Sequence, residues 1–468
     1  MSHQNYGFRS LIAFVSMPLA ALLVAGCSGA NTASTSPATT NAVTGNAFVI
    51  GTDAPVAGVI SFAAQIQSVN AIDSNGNSVS LVSGTPTVDF ARYNGLQTLL
   101  DLNAIPVGTY NSVQITLGTT TIGYLNTQAG AAPTVQTEPA TLSTNTVKVT
   151  LPTPLVVSQT GPVGLRVDFD LYKSIQVDNT GQITGNVTPT FNITAVAPSD
   201  SGGHIDDFDA AVVSVNATGQ SFVIQGPHGR QFTVQVNGQT EFDNSESLTD
   251  LTTSSIVEVS GTIATADSTI TADEVAILSQ DGFHAGGQVT YVQPTSGAAT
   301  NFDLYVRDLL PTTTALSLGQ IATVNLTGNE KYFIYWMHNP LTQFLFNSAG
   351  LLPGQHVSIG GPASGATNAQ AVTAKRVVLQ NWGFNGAVVA GSVNSGNDTF
   401  QMNINGFAGI LVPGPVTVYI GGATDFRDGL STMTGLAAGS NIRVVGLLVK
   451  DPLSGNPVLL ARHVDQLN

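Results

Sequence analysis

The chain has 468 residues and carries 29 acidic against 14 basic side chains, a formal charge of −15, with one cysteine. Charged residues make up only 9% and apolar ones 42%, alongside 49 glycines and 22 prolines. That composition excludes an intrinsically disordered chain and a disulfide-stapled one, and it argues against a cationic nucleic-acid groove.

Residues 1–10 hold one cation, Arg9, and no acid; residues 11–26, LIAFVSMPLAALLVAG, are apolar or small. A basic start followed by a hydrophobic run of this length reads as a signal peptide over 1–26. As a helix it would reach about 24 Å, short of a ~30 Å hydrocarbon core. The single cysteine, Cys27, follows Val24-Ala25-Gly26. This junction resembles the lipobox of bacterial lipoproteins, although Val24 stands where leucine is commoner. The resemblance implies acylation of the Cys27 thiol (palmitate and related chains), cleavage before it, and membrane attachment of the mature chain. Several acyl chains anchor firmly because each buried CH₂ adds about 0.8 kcal/mol. Ser28 in place of aspartate is similar to lipoproteins sent to the outer membrane when the cell is Gram-negative. The alternative is a secretory leader with an incidental cysteine. Residues 27–46, uncharged and rich in Ser, Thr, Ala and Asn, form a flexible tether.

From 47 to 197 apolar residues recur with period two, which predicts strands. SVQITL places Val113, Ile115 and Leu117 on one face; TVKVTL does the same with Val147, Val149 and Leu151. GLRVDFDL buries Leu165, Val167, Phe169 and Leu171 and turns Arg166, Asp168 and Asp170 outward. Polar turns at 73–78, 106–110 and 178–182 separate such runs, so the expected fold is a β-sandwich. Only YNGLQTLLDL, 93–102, suggests a short helix. TDAP at 52–55, IPVGTYNSVQITL at 105–117 and VDFDLYKSI at 167–175 stand in an order that resembles the lipoprotein family called domain of unknown function 4382. That family implies neither an enzyme nor a ligand.

Asp168 and Asp170 share a strand face about 7 Å apart, a spacing open to a glycosidase carboxylate pair. Arg166 and Lys173 stand near enough to neutralise them as solvated ion pairs, and both readings remain open. Asp53, before Ala54-Pro55, reads as a turn residue rather than a metal ligand. Residues 198–206 form a linker. The aspartates of APSDSGGHIDDFD, 197–209, are expected to be solvated, with a loosely held Ca²⁺ as the alternative.

Three related units follow, over 207–281, 282–382 (with an insertion) and 383–468. Each closes on a strand with Gly261, Gly360 or Gly446, a turn, and then Ala272-Asp-Glu-Val, Ala374-Lys-Arg-Val or Ala461-Arg-His-Val. The first and third share TEFDN at 240–244 and TDFRD at 424–428. Domain-sized copies of short strands with glycine at likely bends predict small β-barrels. VVSVN, SFVIQG, FTVQV, TEF, VEVSGTI and ADEVAI make the first copy similar to the bacterial module domain of unknown function 5666. An oligonucleotide-binding barrel is not expected, because residues 208–280 hold a single cation, Arg230.

KYFIYWMHNPLTQFLF, 331–346, puts Tyr332 and Trp336 on one strand face and Phe333 and Tyr335 on the other. A strand buried on both faces is the favoured reading, with Tyr332, Tyr335 and Trp336 as candidates for a binding surface as the alternative. No nucleophile elbow, zinc-protease helix, P-loop or dinucleotide fingerprint is present, and no two histidines stand at i, i+4. The expectation is an all-β, lipid-anchored, exported envelope protein without cofactor or metal, which binds an envelope glycan or protein partner or serves as a spacer. A polysaccharide hydrolase using Asp168 and Asp170 and a Ca²⁺-stabilised adhesin are the alternatives.

Overall fold

Alternating residues in the first module build two long antiparallel strands, Val59–Asp73 and Gly108–Asn126. The computed structural model describes residues 43–54, 59–126, 134–179, 183–226, 229–264, 269–311, 316–335, 344, 346–362 and 371–467. The two long strands centre a six-stranded sheet. A four-stranded sheet faces it, in the order Phe191–Val196, Val163–Asp170, Thr44–Ala54, Thr98–Pro106. Its two middle strands run parallel, with Ala47 opposite Val163. Phe62, Val113, Ile115 and Leu117 meet Val49, Leu165, Val167 and Phe169 between the sheets, so the sandwich is formed as its alternation predicts. Phe169 stands edge-on to Phe62 and Phe90 at 4.9 and 5.2 Å, a favourable aromatic geometry.

The helix expected at 93–102 does not form. Phe90–Tyr93 makes one 3₁₀ turn, and Thr98–Pro106 is a strand paired antiparallel with Thr44–Ala54. Tertiary pairing overrides local propensity here: a register shift between Leu99 and Asp101 lets Leu99 and Leu102 both face outward and leaves Leu100 inward. Leu99 and Leu102 join Phe48 and Ile50 on the outer face of the sheet, where they pack against Phe208, Val257 and Val275 of the next module. The sheet is thus buried on both faces, which explains the unbroken apolar run Ala47–Ile50.

The first repeated unit is a five-stranded ring: Asp209–Asn216, Ser221–Gln225, Gln231–Gln235, Ile256–Ile263 and Thr269–Ser279. Its last strand closes the ring by pairing in parallel with the third, Thr269 opposite Thr233. The third unit is a closed barrel of Trp382–Val388, Thr399–Ile404, Pro415–Arg427, Asn441–Lys450 and Pro457–Gln466. The second follows the same circuit, except that its last strand is split into Ala371–Thr373 and Arg376–Gln380. The first piece pairs with Ile321–Asn325, the second with His356–Pro362.

Gly261 and Gly446 each sit at a register shift, where a Cβ would collide with the carbonyl of Thr271 or Leu460 on the facing strand. Glycine at these two places lets the strands approach and bend into a ring. A short stretch pairs in parallel with the last strand of every ring, as a separate strand in the first two and as the end of Pro415–Arg427 in the third: Glu241 opposite Glu274, Lys331 opposite Arg376, and Asp425 opposite His463. The aromatic stretch KYF therefore holds, in the second unit, the place of TEF and TDF in the other two. Among the described residues no helix is long and apolar enough to cross a membrane.

Candidate functional site

Cys27 and Trp336 lie outside the described residues, as does the Asp53 side chain. Tyr335 does not line a binding surface. It is 1% exposed, its N–H donates to Leu379 O at 2.8 Å, and its hydroxyl lies 2.7 Å from Ser260 Oγ of the first barrel. Tyr332 is half-buried and meets the Phe346 ring edge-on at 5.7 Å. The register explains this: Tyr332 occupies the position of Phe242 and Phe426, which clasp their own rings.

Asp170, expected to face outward, is buried. It ends its strand as the N-cap of Leu171–Ser174, accepting from Lys173 N at 3.0 Å and pairing with Lys173 Nζ at 2.6 Å. Asp168 is half-buried, and burial raises its pKa against the opposing pull of Arg166. Asn192 Nδ2 lies 3.4 Å from Asp168 and 3.5 Å from Asp170, so the two carboxylates share an amide.

The aspartates of 197–209 depart furthest from expectation: Asp206 and Asp207 are buried, not solvated. Asp200 accepts from Ala197 N at 2.7 Å, and Asp206 pairs with His204 Nδ1 at 3.1 Å, whose Nε2 reaches Asp273. Asp207 and Asp209 receive Arg92 of the sandwich through Nη2, at 2.7 and 2.6 Å. Arg92 Nη1 lies 3.2 Å from Asp308 Oδ1 of the second barrel. One guanidinium thus ties three modules together, its two Nη groups reaching three carboxylates in a planar spread that lysine does not supply. His284 joins from the second barrel, with Nδ1 2.5 Å from Ser358 Oγ and Nε2 against Asp308 Oδ2. Glu258, buried in the first barrel, accepts from Gln380 Nε2 of the second.

Burial lifts the pKa of Asp209, helped by neighbouring Asp308 and opposed by Arg92; Glu258 is raised by burial and then by Asp207. Asp308 moves the other way: burial alone would raise it, but Arg92 and His284 hold it well below the usual carboxylate range. A second weld joins the same barrels, where Arg376 binds Glu246 bidentately at 2.9 and 2.7 Å with its guanidinium 3.6 Å from the Phe333 ring centroid.

Beside this junction, sandwich, second barrel and third barrel line a half-open cavity of about 530 Å³. Its lining carries the amides of Asn94, Gln288, Asn385, Asn405 and Asn441, the charged Asp170, Lys173 and Arg307, and the aromatics Tyr172 and Trp382. Arg307 lies over the Trp382 ring at 4.4 Å from its centroid, and the His356 ring stacks on Trp382 at 4.5 Å. Asn94 Nδ2 donates to Gly383 O at 3.0 Å, holding the third barrel to the sandwich. Two lining residues keep buried polar atoms without a hydrogen-bond partner: Asn94 Oδ1 and Arg307 Nη2. The arrangement offers hydrogen-bond donors and acceptors, with Tyr172 as its exposed aromatic and the Trp382 ring held between Arg307 and His356. Sequence reading missed it, since its residues come from segments up to about four hundred positions apart, from Val59 to Leu467.

Residues 44–185 match the family described as Domain of unknown function (DUF4382), and residues 210–276 match Domain of unknown function (DUF5666), as the motifs predict. No curated protein matches the chain.

Proposed function

We propose that this is an exported, lipid-anchored, non-catalytic envelope protein that binds a polar, hydroxyl-rich ligand, an envelope glycan, in the cavity between its modules. The cavity carries this reading. Its volume lies within the usual range of ligand sites, and amides dominate its polar lining. Amides give and accept hydrogen bonds at once, which suits sugar hydroxyls, and the unpartnered Asn94 Oδ1 and Arg307 Nη2 leave capacity unused. The Val24-Ala25-Gly26-Cys27 junction supports the anchor.

The test is calorimetric titration of the mature chain with peptidoglycan and lipopolysaccharide-core fragments. Tyr172 is 73% exposed at the rim, so Tyr172→Ala leaves the fold intact. It is expected to weaken binding about tenfold, as loss of one good contact does. Binding indifferent to Tyr172→Ala and Asn405→Ala, or no binding to any fragment, overturns the reading. Mass spectrometry of the native protein tests the anchor: Cys27 should carry acyl chains, and Cys27→Ser should release the protein from membranes.

A further inference from the structure

We propose that the buried junction is a structural metal site in which Asp209, His284 and Asp308 bind one divalent transition-metal ion, Zn²⁺ or Mn²⁺. This is independent of what occupies the cavity.

The ligand atoms of these three residues lie within 4.8 Å of one another. Metal–ligand bonds of about 2.0–2.2 Å hold donors 3–4 Å apart, so closure around an ion needs only small shifts. Each residue stands on a strand, in Asp209–Asn216, Gly282–Gln293 and Asn301–Leu310, and so is held firmly. The outer contacts already point the donors inward. Ser358 Oγ holds His284 Nδ1 at 2.5 Å, which turns Nε2 toward the carboxylates, as a second-sphere partner does for a metal-bound imidazole. Arg92 takes Asp308 Oδ1 and Asp209 Oδ2, leaving Asp308 Oδ2 beside His284. The remaining oxygen, Asp209 Oδ1, is buried on a side chain 5% exposed and meets no donor group; the neighbouring Asp308 carboxylate can bond to Asp209 only through a shared proton. A buried lone pair in that state is costly unless something binds it.

Charge balance points the same way. Asp207, Asp209 and Glu258 cluster within 4.8 Å and Asp308 adjoins them, against the guanidinium of Arg92 and that of Arg462, which acts on Glu258. The set therefore holds an excess of carboxylates over cations. Either protons or a cation must offset it, and the imidazole in the set favours a cation that accepts mixed nitrogen and oxygen ligands over Ca²⁺ or Mg²⁺.

The experiment uses the mature chain with Cys27→Ser, so that no thiol competes for the ion. The protein is unfolded, stripped with EDTA and refolded with excess Zn²⁺, Mn²⁺ or no metal, then desalted and assayed by elemental mass spectrometry. One equivalent of Zn²⁺ or Mn²⁺ is expected, with a Tm that rises with the logarithm of free metal. Asp209→Asn, which keeps the shape and removes the charge, should fold without retaining metal. If that variant does not fold, cadmium NMR of the substituted parent protein decides: a resonance in the range for nitrogen and oxygen ligands supports the site. Metal-free protein after refolding in excess metal, with an unchanged Tm, overturns it and leaves shared protons as the neutralising species.

Discussion

Arg92 and His204 illustrate how far single side chains reach in this molecule. Removing the Arg92 charge leaves Asp207, Asp209 and Asp308 facing one another in a buried place, so Arg92→Met should cost about 3–5 kcal/mol in a denaturant titration. Without the guanidinium, those carboxylates titrate above their unfolded values. Stability from such groups is present at low pH and lost as pH rises, so the deficit of the variant should shrink on acidification. His204 gives a second pH dependence. Burial alone would lower its pKa, but hydrogen bonds to Asp206 and Asp273 raise it from 6.5 to about 9. Its contribution is therefore full below pH 6.5 and fades through 9. Asp206 is opposed by burial, yet its hydrogen bond to His204 lowers it from 3.8 to about 2, so its contribution fades as pH falls below 3.8 toward 2. The stability lost in His204→Ala should be greatest between these limits and vanish in alkali, as melting curves across pH will test. None of this is legible in the sequence. The density of aspartate at 197–209 reads as solvated, and its partner Arg92 stands 115 positions away from Asp207.

Strands and their bends were legible in good part, because a sheet with one buried face imposes a period of two on its own residues. Val113, Ile115 and Leu117 are all buried, as that period requires. The repeated glycines also carried meaning: Gly261 and Gly446 mark the points where facing strands come too close for a side chain. Gly446→Ala should push Leu460 away and destabilise the third barrel by about 1–3 kcal/mol, read as a lower urea midpoint. What failed was decided by neighbours rather than by local pattern. Leu99, Leu100 and Leu102 look helical as a run, yet they serve two different cores on opposite faces of one strand. For the aromatic stretch at 331–335 burial is the better reading of the sequence and Tyr335 is buried; its relation to TEF and TDF lies in register, which the unlike sequences conceal.

At the scale of the whole molecule the modules share cores and charges. Phe48, Ile50, Leu99 and Leu102 of the sandwich belong to the hydrophobic cluster of the first barrel. Val445 of the third barrel belongs to that of the sandwich. Residues 43–197 expressed alone should therefore expose those four side chains and bind a hydrophobic dye or aggregate, although they contain every strand of the sandwich. Calorimetry of the intact mature chain should show one cooperative transition. Resolved transitions for separate barrels, or a soluble 43–197 fragment with a sharp melt, would contradict this.

The strand Thr44–Ala54 follows directly on the segment that would lead to an acylated Cys27, and it runs between two partners in mid-sheet, parallel to Val163–Asp170 and antiparallel to Thr98–Pro106. Tension drawn along that segment would load both ladders lengthwise, so their bonds would have to rupture together rather than peel one at a time. A body hung from a membrane by this end would grip its own suspension point with the stiffest mechanical geometry a sheet provides.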